Sequence, residues 1–186
     1  MVRHGQTMNN LNKLYTGQDD VVLTDLGRQQ AEAIRPVLSK FTFDRVYSSD
    51  LSRAVETQKL ALPGYTAVTT PQLREFAMGS LEGQPFEVAR SRDEAARKAR
   101  DFTMFGGENG QQVRARVAEF LKQLEEDPCD YAIAFAHGGI MGTMVQLVLG
   151  TETDLKAVTT KNCDIHVFEF DGTRWKLLAW NYMGTV

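Results

Sequence analysis

Two segments of this chain share one pattern: a short apolar run, then a turn, then apolar residues at helical spacing. The first is "FDRVYSSDLSRAVETQKLAL", with a strand near Val46, and the second is "DYAIAFAHGGIMGTMVQLVLG". Strands that alternate with helices run parallel, because each helix carries the chain back to the starting edge of the sheet. The pattern therefore predicts an α/β fold.

The remaining segments fit the same architecture. "YTAVTT" predicts a further strand, and "DIHVFEFDGTRWKLLAWN" predicts a hairpin that turns at Asp171-Gly172. "LTDLGRQQAEAIRPVLSKF" predicts a helix capped by Thr24, with an apolar face formed by Leu26, Ala33, Ile34, Val37 and Leu38. "GQQVRARVAEFLKQLEED" predicts a helix with an apolar face formed by Val113, Val117, Phe120, Leu121 and Leu124.

These elements predict a three-layer α/β/α sandwich with a mostly parallel sheet and an antiparallel edge. The chain has 186 residues, enough for one substantial core and few for two, so we expect a single domain over residues 1–186. The segment 84–107 departs from the alternation, because it is charged, helix-prone and then rich in glycine. We interpret it as an insertion that forms a lid.

Composition excludes several classes of function. The net charge is -3 and the 21 basic residues are scattered, so no footprint for nucleic acid or an anionic membrane is visible. No apolar run approaches the ~20 residues of a membrane span. Cys129 and Cys163 lie far apart, which favours reduced thiols over a disulfide framework. We expect a cytoplasmic protein without nucleic-acid or membrane partners, whose oligomeric state the sequence leaves open.

Three predicted strand ends carry polar groups that suit an anion. They are Arg3-His4-Gly5, the stretch from Ser48 to Arg53, and His137-Gly138. In open α/β sheets, ligands bind beyond the carboxyl ends of the strands. Brought together, these ends supply two guanidinium groups, two imidazoles and the amides of helix N-termini. Such a pocket is suited to a phosphate dianion.

An ordered set of motifs resembles one known family. "RHGQTMNN" is similar to the Arg-His-Gly-x-Thr signature of the histidine phosphatase superfamily, also called phosphoglycerate-mutase-like. "LTDLGRQQA", "VYSSDLSRAVET", "LREFAMGSLEG", "GGENGQQVRARV" and "AHGG" resemble its later blocks, in order and at plausible spacing. The resemblance covers nearly the whole chain and points to the phosphatase branch.

The resemblance implies a role for each matching residue. His4 would be the nucleophile that accepts the phosphoryl group as phosphohistidine. The residues expected around the phosphate are Arg3, Arg53 and His137, with Asn10 and the Gly138 amide as neutral donors. No metal or cofactor is expected, since the arginines and imidazoles supply the positive charge.

Two carboxylates compete for the role of acid and base. Glu75 in "LREFAMG" matches the residue that protonates the leaving oxygen and later activates water, whereas Glu82 is expected to hold a loop. Thr16 and Gly17 match a loop that touches the phosphate or its neighbouring groups. Gln6 stands where many relatives have glutamate, and we assign it no catalytic role.

The expected function is metal-independent hydrolysis of small cytoplasmic phosphomonoesters through phosphohistidine on His4. The alternatives are a cofactor-dependent phosphoglycerate mutase and a non-catalytic phospho-ligand binding protein. Phe76, Ala77 and Met78 offer no charge to a doubly anionic substrate, which favours hydrolysis over the mutase. The resemblance leaves the identity of the substrate open.

Other features receive structural interpretations. We interpret His166 as a strand side chain and not as a metal ligand. A solvated helix face is predicted for Arg90, Arg92, Arg97, Lys98 and Arg100. His4 is expected at the end of a central first strand, yet only Met1 and Val2 precede Arg3. We therefore expect the natural reading frame to extend upstream by a few apolar residues, which the genomic codons before Met1 would test.

Overall fold

The computed structural model describes residues 1–127, 129–151 and 159–182. For residues 88–93 and 97 it describes the backbone but not the side chains. Its strands are β1 (Val2–Arg3), β2 (Arg45–Ser49), β3 (Val68–Thr70), β4 (Ala132–Ala136), β5 (Val167–Phe170) and β6 (Trp175–Ala179). Its α-helices are α1 (Met8–Leu11), α2 (Asp25–Ala33), α3 (Arg35–Leu38), α4 (Ser52–Ala61), α5 (Phe86–Ala99), α6 (Gly110–Glu126) and α7 (Gly138–Leu149). Short 3-10 turns span Pro71–Leu73, Gly79–Leu81 and Thr103–Phe105.

Within the described residues, the main sheet has four strands in the order β1-β4-β2-β3, and every pair is parallel. Strand β4 forms the centre of this sheet, with Phe135 opposite Val2 on one side and opposite Ser48 on the other. Parallel pairing requires the intervening helices that the sequence pattern predicted. The expectation of an α/β fold with a mostly parallel sheet is confirmed.

Side chains of β4 alternate between two hydrophobic clusters, one on each face of the sheet. Ile133 and Phe135 belong to the cluster that includes Leu38 and the end of α4. Ala134 and Ala136 belong to the cluster formed with α6 and α7. Because successive strand residues point to opposite faces, the two clusters separate the helices into two outer layers. The result is the predicted three-layer arrangement.

The C-terminal hairpin contributes the antiparallel part of the fold. Strands β5 and β6 form their own two-stranded sheet, which a single antiparallel bridge between Val2 and Ile165 connects to β1. The main-chain amide of Arg3 donates to the Asp164 carbonyl, and Cys163 donates to the Arg3 carbonyl, both at 3.1 Å. Strand β1 is therefore an edge strand of the parallel sheet, not the expected central one. Its two residues are nevertheless hydrogen-bonded on both sides.

Helix α2 begins as predicted but buries a different face. The Thr24 side chain accepts a hydrogen bond from the Gly27 amide, as an N-cap should. Gly27 and Ala31 are the buried residues, whereas Leu26 is half exposed. The expected apolar face was therefore wrong for Leu26 and Ala33, because the neighbouring helix α4 and the backbone near β1 require small residues at the contact. Ile34, Val37 and Leu38 do pack against the core, the last two from the separate helix α3.

The segment 84–107 follows the 3-10 turn at Gly79–Leu81, forms α5 and returns to the core at Phe102. Its start is tied down by an antiparallel bridge between Leu14 and Pro85. Ala96 and Phe102 are both buried in the cluster on the α6 and α7 face. The segment is thus packed at both ends.

Among the described residues, no helix is long and apolar enough to cross a membrane.

Two glycines allow the backbone after β1 to touch helix α2. A Cβ on Gly5 would lie 2.4 Å from the Gly27 carbonyl oxygen, and a Cβ on Gly27 would lie 2.1 Å from the Gln6 carbonyl oxygen. Gly5 is therefore the point where two backbones meet directly beside His4.

This contact predicts opposite effects for two glycine substitutions. Gly27→Ala should lower the free energy of unfolding by about 1–3 kcal/mol, because the added methyl meets backbone that cannot move aside. Gly142→Ala is the control, because its Cβ would meet nothing within 4 Å in helix α7. Alanine there should raise stability by up to ~1 kcal/mol through helix propensity. Urea denaturation measures both changes, and equal stabilities would contradict the close contact.

Candidate active site

Three side chains meet at the carboxyl edge of the parallel sheet. His4 directly follows β1, Arg53 lies in the first turn of α4 after β2, and His137 is the N-cap of α7 after β4. All three are buried, with exposed fractions of 5%, 1% and 0%. The ring centroids of His4 and His137 are 5.2 Å apart. The strand ends that the sequence singled out are therefore brought together.

The surroundings of His4 set both its tautomer and its charge. Its Nδ1 lies 2.7 Å from the Gly5 carbonyl oxygen. A carbonyl oxygen can only accept, so Nδ1 carries the proton and the lone pair of Nε2 remains available for attack. Burial, followed by the positive charges of Arg53 and Arg3, holds the pKa of His4 well below 6.5. The imidazole is neutral, as a nucleophile must be.

Four buried nitrogens around His4 have no hydrogen-bond partner among the described residues. They are Arg3 Nε, Arg53 Nε, and both ring nitrogens of His137. Leaving buried polar groups unpaired costs free energy, so such groups are rare unless a ligand satisfies them. Guanidinium and imidazole nitrogens match the oxygens of a phosphate. The arrangement is suited to a tetrahedral oxyanion.

Main-chain carbonyl groups hold the two arginines in place. Arg53 donates from Nη1 to the Asp19 oxygen at 2.8 Å and from Nη2 to the Gly17 oxygen at 2.7 Å. Arg3 donates from Nη1 to the Thr160 oxygen. Burial lowers the pKa of Arg53 to about 10, so the group is still charged at neutral pH. Since carbonyl groups orient these side chains without neutralising them, their charge is available to an anion.

The loop of residues 16–19 takes its shape from Gly17 and Glu82. Gly17 has a φ of +50, a conformation that glycine adopts at little cost. Glu82 Oε1 accepts from the amides of Gln18 at 3.0 Å and Met78 at 2.8 Å, and it packs against Gly17. Thr16 accepts from the Asp19 amide in the same loop. Glu82 thus lies in a position that ties two loops together.

The carboxylate of Glu75, which belongs to the loop after β3, lies at the N-terminus of helix α7 beside the pocket. Its Oε2 accepts from the Gly139 amide at 3.0 Å, and its Oε1 accepts from the Phe76 amide at 2.9 Å. A Cβ on Gly139 would be only 2.2 Å from Glu75 Oε1, which explains the second glycine of "HGG". The structure therefore separates the two acids: Glu75 contacts the amide of Gly139, two residues after His137, whereas Glu82 contacts the amides of Gln18 and Met78.

Asn10 lies close to His4 through a residue that sequence reasoning missed. Asn10 Oδ1 accepts from the Thr7 amide at 3.1 Å and from Asn162 Nδ2 at 3.2 Å. Asn162 also donates to the His4 carbonyl oxygen at 3.0 Å. Gly138 is the first residue of α7, and its Cβ position faces Arg3 Nε at 3.5 Å. Gly138 therefore lies against the Arg3 guanidinium, whereas Asn10 is linked to the His4 backbone through Asn162.

The support of Arg3 was also missed. Thr160, whose carbonyl accepts from Arg3, places its hydroxyl 2.8 Å from His166 Nε2. The Asn181 amide donates to His166 Nδ1, and the His166 ring stacks on Trp180 with centroids 3.6 Å apart. His166 precedes β5 and is fully buried. It belongs to the packing behind Arg3, and the described residues contain no group of three His, Cys, Asp or Glu that could hold a metal ion.

The family match decides the identity of this arrangement. The sequence pattern of the histidine phosphatase superfamily (branch 1) matches residues 1–183. The chain belongs to this superfamily. The match includes each of the strand ends described above, so the buried cationic pocket is the candidate active site of a histidine phosphatase.

Individual relatives place the chain among both phosphatases and mutases. It is 39% identical over 132 residues to fructose-2,6-bisphosphatase TIGAR B of Danio rerio, and the match spans 67% of this chain but only about half, 51%, of that relative. It is 28% identical to the probable phosphoglycerate mutase GpmB of Yersinia pestis (strain Pestoides F), over 97% of this chain and 88% of that one.

Solved structures agree in fold over nearly the whole chain. A mycobacterial glucosyl-3-phosphoglycerate phosphatase in complex with VO3 superposes with a TM-score of 0.85, at 28% identity over 97% of this chain and 96% of the other. The α-ribazole phosphatase of Shigella flexneri superposes with a TM-score of 0.86 at 23% identity, over 97% and 94% of the two chains, which shows the shared fold alone.

The prediction of a solvated helix face in the segment 84–107 is wrong for Arg100. Its Nη1 donates to Gln146 Oε1 at 2.6 Å, its Nη2 donates to Thr143 Oγ1 at 2.8 Å, and its guanidinium lies 4.7 Å over the Phe76 ring. Arg100 therefore packs on helix α7, because the chain turns back after α5 with a φ of +50. Lys98 is exposed and pairs with Glu94, as expected of a solvated face. The side chains of Arg90, Arg92 and Arg97 lie outside the described residues.

All three histidines of the chain are expected to have pKa values below the usual range. Burial, the largest cause in each case, holds the pKa of His4 and of His137 well below 6.5 and lowers that of His166 to about 3. Imidazole NMR of the free protein should therefore detect no protonation between about pH 5.5 and pH 8. Saturating inorganic phosphate should raise the pKa of a pocket histidine, because a dianion favours the charged form. A histidine that titrates near pH 6.5 in the free protein would contradict the described burial.

Proposed function

We propose that the protein is a phosphatase that hydrolyses small phosphomonoesters through a phosphohistidine on His4, without a metal ion. The observation that carries the proposal is the set of four unpartnered, buried nitrogens, three of them N–H donors, around a neutral imidazole whose Nε2 is available. Membership of the histidine phosphatase superfamily supports the same chemistry. So do the phosphatases among its relatives of known structure.

In the first step, the substrate phosphate binds against Arg3, Arg53 and His137. Their nitrogens compensate the charge of the non-bridging oxygens as the transition state forms. His4 Nε2 attacks phosphorus, so a P–N bond forms and the ester P–O bond breaks. The leaving oxygen takes a proton from the carboxylic acid form of Glu75. The product alcohol then departs, and His4 carries the phosphoryl group.

In the second step, water replaces the alcohol. Glu75, now a carboxylate, accepts a proton from the water as its oxygen attacks phosphorus. The P–O bond to water forms, the P–N bond breaks, and the electron pair returns to Nε2. The second glycine of "HGG" contributes here, since the Gly139 amide keeps the Glu75 carboxylate beside the reacting atoms. Inorganic phosphate and neutral His4 are the products of this step.

Charge around the pocket supports water, and not a second phosphorylated hydroxyl, as the acceptor. The described arginines that flank Glu75 are already engaged: Arg74 forms a bidentate pair with Asp50, and Arg116 pairs with Glu108. Arg100 donates to side chains of α7. The described pocket therefore provides for one dianion, whereas a mutase must also bind the second anionic groups of its substrate.

A phosphoglycerate mutase remains the second candidate, because GpmB matches this chain over 97% of its length. We propose a cytoplasmic setting and a small metabolite as substrate, and Cys129 and Cys163, which are both free thiols, support that setting. TIGAR B and the mycobacterial enzyme suggest phosphorylated sugars or glycerates as the first substrates to assay.

The nucleophile is tested by His4→Ala. Loss of the attacking nitrogen should lower kcat for p-nitrophenyl phosphate by at least ~100- to 1000-fold, and the acid-labile phosphoenzyme that the wild type forms should disappear. EDTA should leave the wild-type rate unchanged. Circular dichroism serves as the folding control. A folded His4 variant that still turns over, or a rate that falls with EDTA, would overturn the mechanism.

The acid is tested by comparing Glu75→Gln with the matched control Glu82→Gln. Glu75→Gln should slow an alkyl phosphate by ~100-fold or more, and p-nitrophenyl phosphate much less, because p-nitrophenolate leaves without a proton. Glu82→Gln should slow both substrates by the same factor, since it disturbs a loop and not a proton transfer. The reverse pattern would assign the acid to Glu82.

The mutase is tested with 3-phosphoglycerate and a trace of 2,3-bisphosphoglycerate. We expect release of inorganic phosphate from a panel of phosphomonoesters to exceed any formation of 2-phosphoglycerate. The reason is that the described pocket offers unpartnered nitrogens for one anionic group of a substrate and not for two. The two products are followed in the same incubation. Rapid isomerisation with negligible free phosphate would replace the phosphatase by the mutase.

A further inference from the structure

Arg116 of helix α6 donates all five of its N–H groups, three to the segment that carries Glu75 and two to Glu108. Its Nε donates to Glu108 Oε1 at 2.9 Å, and its Nη2 donates to Glu108 Oε2 and to the Glu75 carbonyl oxygen, both at 3.0 Å. Its Nη1 donates to the carbonyl oxygens of Gln72 at 2.8 Å and Arg74 at 2.6 Å. The side chains of Arg116 and Glu108 are only 17% and 21% exposed.

Glu108 holds the same segment from its other end. Its Oε2 accepts from the Ala77 amide at 2.9 Å and from Gln18 Nε2 at 3.3 Å. The pair therefore fixes the carbonyl groups of residues 72, 74 and 75 and the amide of residue 77. Residues 74–78 have no regular secondary structure of their own. The position of the Glu75 backbone consequently depends on side-chain contacts.

Gln18 connects this pair to the phosphate pocket. Its Nε2 also donates to the Glu75 carbonyl oxygen at 3.1 Å. The residue before it is Gly17, whose carbonyl oxygen accepts from Arg53. Arg53 and Glu75 are thus held by neighbouring points of one hydrogen-bond network. Networks of this kind set distances between groups more precisely than single contacts do.

We propose that the Arg116–Glu108 pair is a positioning unit for Glu75, which sets the distance between its carboxylate and the phosphate without touching the substrate. The proposal rests on Glu75 being the acid of the proposed function. A displacement of ~1 Å of a catalytic group can lower a rate by about 100-fold. The pair should therefore act on proton transfer to the leaving group and only weakly on phosphate binding.

Arginine and glutamate are both required by this geometry. Lysine has three donors on a single nitrogen, so it cannot reach three carbonyl oxygens and two carboxylate oxygens at once. Glutamine at position 108 would replace one of the acceptor oxygens by an NH2 group that faces either Arg116 or the Ala77 amide. Arg116→Lys and Glu108→Gln are therefore small changes in size that break the contacts.

The experiment compares these two variants on two substrates. For an alkyl phosphate, kcat should fall by ~10- to 100-fold in each variant, whereas for p-nitrophenyl phosphate it should fall less than about threefold, with KM nearly unchanged. In the background of Glu75→Gln, neither substitution should lower the rate further, because the group that it positions is already absent. Arg45→Lys is the control, since Arg45 forms a bidentate pair with Asp127 at the opposite edge of the sheet.

Each outcome decides a separate question. Equal slowing of both substrates, or a further loss on top of Glu75→Gln, would reduce the pair to a structural role and overturn the proposal. If Glu75→Gln alone slowed both substrates equally, the proposed function of Glu75 would fail, and the pair would have no acid to position. Thermal melting identifies a variant that does not fold. In that case Gln18→Ala, which removes three side-chain contacts of the network, must show the same leaving-group dependence, and its absence would count against the proposal.

Discussion

The candidate active site depends on the burial of positive charge and of unpaired nitrogens at the carboxyl edge of one sheet. Arg3 and Arg53 are oriented by carbonyl oxygens, with no carboxylate in direct contact with either guanidinium among the described residues. Burial keeps His4 and His137 neutral beside these charges. Folding therefore retains an unfavourable arrangement that an oxyanion relieves. In the proposed reaction, this preorganised positive charge would stabilise the transition state of phosphoryl transfer.

Such an arrangement needs a framework that cannot relax. Strand β1 contains two residues, but hydrogen bonds to β4 on one side and to residues 163–166 on the other hold it. The direct contact between Gly5 and Gly27 fixes the backbone immediately after His4. Asn162 then ties the His4 carbonyl to Asn10. Close packing and hydrogen bonds together replace the anchoring that a longer strand would supply.

The two sides of the reaction are built differently. The phosphate side rests on strand ends and helix N-termini, which are rigid. Glu75, the proposed acid on the leaving-group side, lies in a loop that the Gly139 amide, Arg116 and Glu108 hold by hydrogen bonds. A family of phosphatases can keep the first side and vary the second, which is why shared phosphoryl chemistry does not specify a substrate.

The sequence by itself determined what depends on near neighbours. The strand and helix spacing predicted the parallel sheet, the cap at Thr24 and the buried face of α6. The ordered motifs singled out His4, Arg53, His137 and Glu75 as candidate site residues. Only the tertiary structure revealed Asn162, Thr160 and Arg116, which act on residues 158, 157 and 41 positions away. It also placed β1 at the edge of the parallel sheet and turned Arg100 onto α7. The physical reason is range: periodicity and capping reflect contacts within a few residues, whereas these partners meet only because the backbone path of the whole fold brings them together.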